Sequence, residues 1–303
     1  TLQLVNHGLH ATGTLTNSAG TFDVNSGAAV NVDGAGIISG GTYDTTNNSS
    51  AFNGGLTVSG TGVFNASSSS SVSVVGLNIS GGTFNGSTGS VAVNGDLNLS
   101  NGTLNAPTNM YVSGSWNRTG GTFNAGTGTV TFNGTSDKSI TSNGMVFNDV
   151  KVEKALGAKI QLQDALSAQD MILAAGGLNT SDQAINLTGD YTQTGGTFTG
   201  SAADLDVNGS FSVTGGTFTA PSANLKVGDH FTVGNSATFT ANGGKVIFDE
   251  LGTSILNVPD VGGLHFWEFE SLQTGKTLKF TAGDTFYIDA PNTWNVDGAT
   301  LES

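Results

Sequence analysis

The chain has no cysteine and a single arginine, Arg118, and only 11% of its 303 residues are charged. Without cysteine, no disulfide staples the fold and no thiolate chemistry is available. Nine Lys and Arg stand against 23 Asp and Glu, a net charge of −14. That balance leaves no electrostatic footprint for nucleic acid or an anionic membrane surface. No stretch approaches the ~18–20 apolar residues of a membrane span. The start, Thr1-Leu2-Gln3-Leu4, is already strand-like and lacks a charged-then-apolar leader, so any targeting segment is expected to have been removed or left out.

What is present is a Gly-Thr-Phe step that keeps returning. It reads Gly20-Thr21-Phe22, Gly41-Thr42-Tyr43, Gly62-Val63-Phe64, Gly82-Thr83-Phe84, Gly102-Thr103-Leu104 and Gly121-Thr122-Phe123. It resumes at Gly196-Thr197-Phe198, Gly216-Thr217-Phe218 and Ala237-Thr238-Phe239. The last positions of these steps are 19 to 21 residues apart within each run. A fixed period of this length marks a solenoid, one unit stacked on the next. Between steps lie two further alternating pieces, such as Val91/Val93 then Leu97/Leu99, or Leu225/Val227 then Phe231/Val233. Period-two alternation cut by Gly, Asn and Asp predicts short strands with one buried face. Three strands and three turns per coil, repeated at about 4.8 Å, predict an all-β fold, a parallel β-helix with coils of about twenty residues.

The step residues then form an inward column: Phe22, Tyr43, Phe64, Phe84, Leu104 and Phe123, and again Phe198, Phe218 and Phe239. Offset ring stacking adds roughly 0.5–1.5 kcal/mol per pair beyond burial. The 46 glycines are expected at tight corners needing positive φ. Gly95, Gly209, Gly189 and Gly228, in Asn-Gly and Gly-Asp pairs, are placed in such turns.

Two segments break the rhythm. The reading is one continuous solenoid domain with regular coils at 1–124 and 178–240 and elaborated segments at 125–177 and 241–303. The elaborated segments resemble each other: Val130-Thr131-Phe132 matches Val246-Ile247-Phe248, Ser139-Ile140 matches Ser254-Ile255, and Phe147 matches Phe266. Gly157–Leu162 matches Gly275–Phe280, so a larger duplication overlies the small repeat. These segments hold every lysine except Lys226, and wider or bulging coils are expected there. Ser167-Ala168-Gln169-Asp170 has capping-box spacing. Met171–Leu178 nevertheless overlays on Leu97–Leu104 in the repeat phase, and a strand is predicted.

β-Helical hydrolases and lyases place two or three carboxylates on adjacent rungs with a basic residue nearby. Arg118 has no carboxylate near it in the repeat phase, and the rung after Asp204/Asp206 carries Asn224 and Lys226. Asp249-Glu250 and Glu268/Glu270 read as solvated surface charge. His7, His10, His230 and His265 lack metal-ligand spacing, and turn aspartates such as Asp96, Asp190 and Asp229 would each need several more oxygens to hold calcium. The expectation is a non-enzyme without cofactor or metal. One run could meet a ligand or partner: in His265-Phe266-Trp267-Glu268-Phe269, alternation puts His265, Trp267 and Phe269 outward, where Trp and Phe could stack on a sugar ring or pack on a neighbour. Outward Thr pairs such as Thr217/Thr219 and Thr238/Thr240 are similar to the rows of ice-binding β-helices, although Asp and Asn interrupt other rungs.

Gly298-Ala299-Thr300-Leu301 is expected to return to the Gly-Thr-Phe position, leaving an open coil. Such an edge would pair with further coils of a longer chain or stack end to end on a copy of itself. The Val-x-Val-Asn-Gly-x-Leu-x-Val-x-Gly-Gly-Thr-Phe unit resembles the β-solenoid repeats of bacterial surface proteins, autotransporter passengers and filamentous-haemagglutinin-like adhesins. That resemblance implies an extracellular, cell-surface, non-enzymatic adhesin shaft or filament subunit. Its partners would be itself or host and cell-surface glycans. A carbohydrate-binding or carbohydrate-active β-helix is the alternative, and ice binding a second one.

Overall fold

The computed structural model describes residues 1–4, 7–24, 29–45, 48–66, 71–86, 89–258, 263–289 and 291–303. It is an all-β parallel β-solenoid of about 14 turns, with no helix among the described residues. Contacts divide it into two compact units, 1–134 with 138–148, and 135–137 with 149–303. The boundary falls inside the first elaborated segment.

In the first unit each coil has three strand faces, the third running into the next first face as one strand at Leu77–Asn85 and Leu97–Asn105. The first face carries the Gly-Thr-Phe step (Leu2–Leu4, Thr21–Val24, Thr42–Thr45, Val63–Ala66 and onward). The second carries Leu9–Ala11 through Thr129–Phe132, and the third Leu15–Asn17 through Lys138–Thr141. Every strand pairs in parallel with its copy one coil on, for example Phe22↔Tyr43, Tyr43↔Phe64 and Phe64↔Phe84. The predicted column is a ring stack, with centroids 5.2, 4.9 and 5.0 Å apart and planes within 12°. Phe84 and Leu104 are fully buried, whereas Phe22 and Phe123 are half-buried.

Side-chain volume is balanced between columns. Phe52 stands in the Val32–Val74 column, and the third face answers with Gly36 in the Leu15–Leu56 column. A Cβ at Gly36 would collide with the Phe52 ring. Ser50 interrupts the Val30–Val72 column because the buried Tyr43 hydroxyl needs a partner, which it finds at 3.0 Å. A buried hydroxyl without one costs about 1–3 kcal/mol.

The second unit repeats the scheme with two stacks. Phe198, Phe218 and Phe239 stack at 4.6 and 5.5 Å on the first face. Tyr191, Phe211 and Phe231 stack at 5.3 and 5.1 Å on the third. The stacks meet edge-on, Phe211 to Phe218 at 4.9 Å and 77°. Phe198 and Phe218 are buried, and Phe239 is half-buried. The Tyr191 hydroxyl donates to Gln193 Oε1 at 2.9 Å, and Gln193 Nε2 donates to the Thr217 carbonyl at 3.0 Å. The stretch with capping-box spacing is the strand Leu166–Ala175.

The elaborated segments are wider coils that stay in parallel pairing. Trp116 pairs with Ile140, 24 residues on, and Phe231 with Leu256, 25 residues on. Each segment closes on a four-ring cluster: Trp116, Phe123, Phe132 and Phe147 in the first unit, Phe231, Phe239, Phe248 and Phe266 in the second. This is the duplication in three dimensions, and it corrects one alignment. Ile140 is equivalent to the inward Leu256, because Ser254 and Leu256 are buried while Ile255 points out.

Two further expectations change. Gly95, Gly189, Gly209 and Gly228 do not have positive φ. They are glycine because successive coils pass too closely for a side chain: a Cβ at Gly209 would lie 2.7 Å from the Gly189 carbonyl. Positive φ is found instead at most glycines of the step, +67° at Gly196 and +78° at Gly216 among them, where the chain turns into the first face. Strand Thr300–Glu302 pairs with Thr277–Phe280 on the third face, so Gly298-Ala299-Thr300-Leu301 is not a Gly-Thr-Phe step.

Candidate functional site

The charges singled out by sequence meet on the second face of the second unit. Registers Asp206↔Lys226↔Ile247↔Glu270 and Asn224↔Lys245↔Glu268 set acids and lysines on successive coils. Lys226 Nζ lies 3.3 Å from Asp204 and 3.4 Å from Asp206, and Lys245 Nζ lies 2.9 Å from Glu270 and 3.8 Å from Glu268. Partial burial works against the Lys226 charge, but Asp206 and Asp204 outweigh it and raise its pKa. Burial and then repulsion from Asp206 raise the Asp249 pKa. Lys276 is buried and donates to the Gly228 carbonyl at 2.6 Å, and burial lowers its pKa.

Two carboxylates with separated pKa values would suit acid–base work. Here the two acids of each pair, Asp204/Asp206 and Glu268/Glu270, instead share one lysine of an adjacent coil, Lys226 and Lys245 respectively. Clefts of about 410, 320 and 400 Å³ lie elsewhere. The ladder acts as an ionic seam between coils.

Arg118 is likewise committed to the backbone. It occupies an inward position below Leu99, and its guanidinium donates to the carbonyls of Asn143 at 2.8 Å and Gly121 at 2.7 Å. It fastens the wide loop of its own unit. The turn aspartates are coil-to-coil staples: Asp96 accepts the Ser115 amide at 2.8 Å, Asp170 that of Asp190 at 2.7 Å, and Asp190 that of Ser210 at 2.8 Å. Among the described residues, no group of three or more His, Asp or Glu could hold a metal ion.

The aromatic run departs from simple alternation. His265 and Trp267 are exposed, but Phe269 is buried, 1% exposed, and stacks on Trp294 at 4.2 Å and 5°. The strands Leu264–Phe266 and Glu268–Ser271 are separate. The chain turns a corner at Trp267 and the phase resets, so Phe266 and Phe269 both face the core. The outward partner of His265 is Tyr287, stacked at 4.5 Å and 18°, and His265 Nδ1 lies 2.8 Å from Asp289 Oδ1. Tyr287 and Asp289 were not singled out by sequence, although Phe286-Tyr287-Ile288 carries the alternation that could have found them.

Comparison with protein-family models, with curated proteins and with solved structures finds no match to this chain.

Proposed function

We propose that this chain is a structural shaft of the bacterial cell exterior, an extracellular β-solenoid that bears load and accepts further coils, without enzymatic activity. The observation that carries the reading is that polar columns of the surface are satisfied from coil to coil. Asn65, Asn85, Asn105 and Asn124 form an amide ladder on the first face, each side chain donating to the one before at 2.6 Å. The aspartate staples and the lysine seam follow the same rule, so outward side chains serve cohesion. The cysteine-free composition and the likeness of the repeat to bacterial surface solenoids support an exterior location.

A coil offers the next coil the same amides, carbonyls and asparagine side chains it received, so a coil of another copy of this chain can continue the ladder. Heterologous stacking of this kind builds open filaments. Sedimentation at two concentrations with negative-stain electron microscopy tests this. The expected result is filaments of constant width that lengthen with concentration. Monodisperse particles at both concentrations would overturn self-assembly.

A further inference from the structure

Strands Leu264–Phe266 and Phe286–Ile288 form their own two-stranded sheet. Leu264 and Phe266 are buried, and His265 and Tyr287 face outward one above the other. The Asp289 amide donates to the Phe266 carbonyl at 3.0 Å. The pairing therefore runs one residue past Ile288 and sets Asp289 opposite Trp267. His265 on one coil and Tyr287 and Asp289 on the next form an outward patch, and the exposed Trp267 stands at the corner beside it. Trp267 is 40% and Tyr287 44% exposed, whereas the neighbouring Phe266 and Phe269 are 0% and 1% exposed. Outward positions of the regular coils in this unit carry Thr, as at Thr217, Thr219, Thr238 and Thr240. Cohesion of the coil therefore does not call for exposed rings here.

We infer that this patch is a binding site for a neutral saccharide. The apolar C–H face of a pyranose packs on an exposed Tyr or Trp ring, whose polar end stays hydrated. The sugar hydroxyls then need fixed acceptors and donors at the edge of the ring. Asp289 supplies a carboxylate whose Oδ1 is pinned by His265, leaving Oδ2 outside that bond. A pair of adjacent hydroxyls donating to such a carboxylate makes charge-assisted hydrogen bonds. The net charge of −14 disfavours anionic polymers, which selects neutral sugars over uronates and sulfated glycans.

The test is affinity electrophoresis of the full chain through gels containing dextran, galactomannan, hydroxyethylcellulose or polygalacturonate. At least one neutral polymer is expected to retard the chain, and polygalacturonate is not. Trp267→Ala and Tyr287→Ala are each expected to weaken retardation about tenfold, and Asp289→Asn to weaken it severalfold. Tyr111→Ala, at an exposed tyrosine on the strand Asn109–Val112, leaves it unchanged. Circular dichroism and melting verify that each variant folds. No retardation by any neutral polymer, retention unaltered in the variants, or equal retention by polygalacturonate would overturn the site. So would variants that change sedimentation rather than retardation, which would make the patch a contact between copies. Failure here leaves the shaft reading untouched, because that reading rests on the ladders.

Discussion

Replacing Phe218 with alanine removes the ring at the crossing of two stacks. Phe218 is fully buried. It stacks on Phe198 at 4.6 Å and Phe239 at 5.5 Å, and meets Tyr191 and Phe211 edge-on at 5.8 and 4.9 Å. Parallel ladders hold the strands above and below at fixed spacing, so the coil cannot collapse into the void. The expected cost is about 3–5 kcal/mol. In a solenoid, stability is a sum of coil and nearest-neighbour terms, so the loss should be local. Hydrogen exchange read by mass spectrometry checks this. Amides of the strands around 197–240 should exchange roughly a hundredfold faster or more, at one decade per 1.4 kcal/mol, while those around 30–112 keep their rates. Phe218→Leu, matching Leu104 of the other column, should cost only about 1 kcal/mol. A loss below about 1 kcal/mol for the alanine variant, or acceleration spread evenly over the chain, would refute the crossed-stack packing.

Burial raises the pKa values of the Tyr191 and Tyr43 hydroxyls, the latter despite the Ser50 hydrogen bond. A raised folded pKa gives stability that is intact below the unfolded value of about 10 and lost as pH climbs above it. Melting temperature should therefore fall above about pH 10, and the fall should be shallower in Tyr191→Phe, which also loses about 1 kcal/mol at pH 7 with its bond to Gln193. The Asp249 pKa is also raised, so its charged form opposes folding at neutral pH. Asp249→Asn should raise the melting temperature at pH 7, with the gain vanishing as acid protonates the wild-type carboxyl. Asp190→Ala removes the bond to the Ser210 amide; a loss of about 0.5–1.5 kcal/mol in urea unfolding is expected, and none would mean the staple is ornamental.

The twenty-residue period was enough to read the three-stranded coil, because a solenoid converts sequence distance directly into stacking. Phe64, Phe84, Phe198 and Phe218 could be placed inward from spacing alone. The second stack of Tyr191, Phe211 and Phe231 obeys the same spacing but hid because leucine fills that position in most other coils, as at Leu56, Leu77 and Leu97. What escaped the pattern depends on contacts between faces. Gly36 answers Phe52 across the core, and Ser50 answers Tyr43, so neither follows from its own column. Phe269 escaped because a corner at Trp267 resets the alternation, and strand phase can be extrapolated only within a strand. The glycines of the Asn-Gly pairs look like turn residues, yet serve close approach of coils, a constraint set by the coil beneath. The His265–Tyr287–Asp289 array joins residues from two coils of unequal length, where no fixed offset links them.

Pulling a single tethered chain from both ends tests the load-bearing claim most directly. A ladder-bonded shaft should release coil after coil, in repeated steps of about 70 Å for some twenty residues at about 3.5 Å each, and the Asn85→Ala and Asn105→Ala variants should lower the force of the steps in their own coils. Opening of the whole chain in one event at low force, unaffected by those variants, would contradict the account.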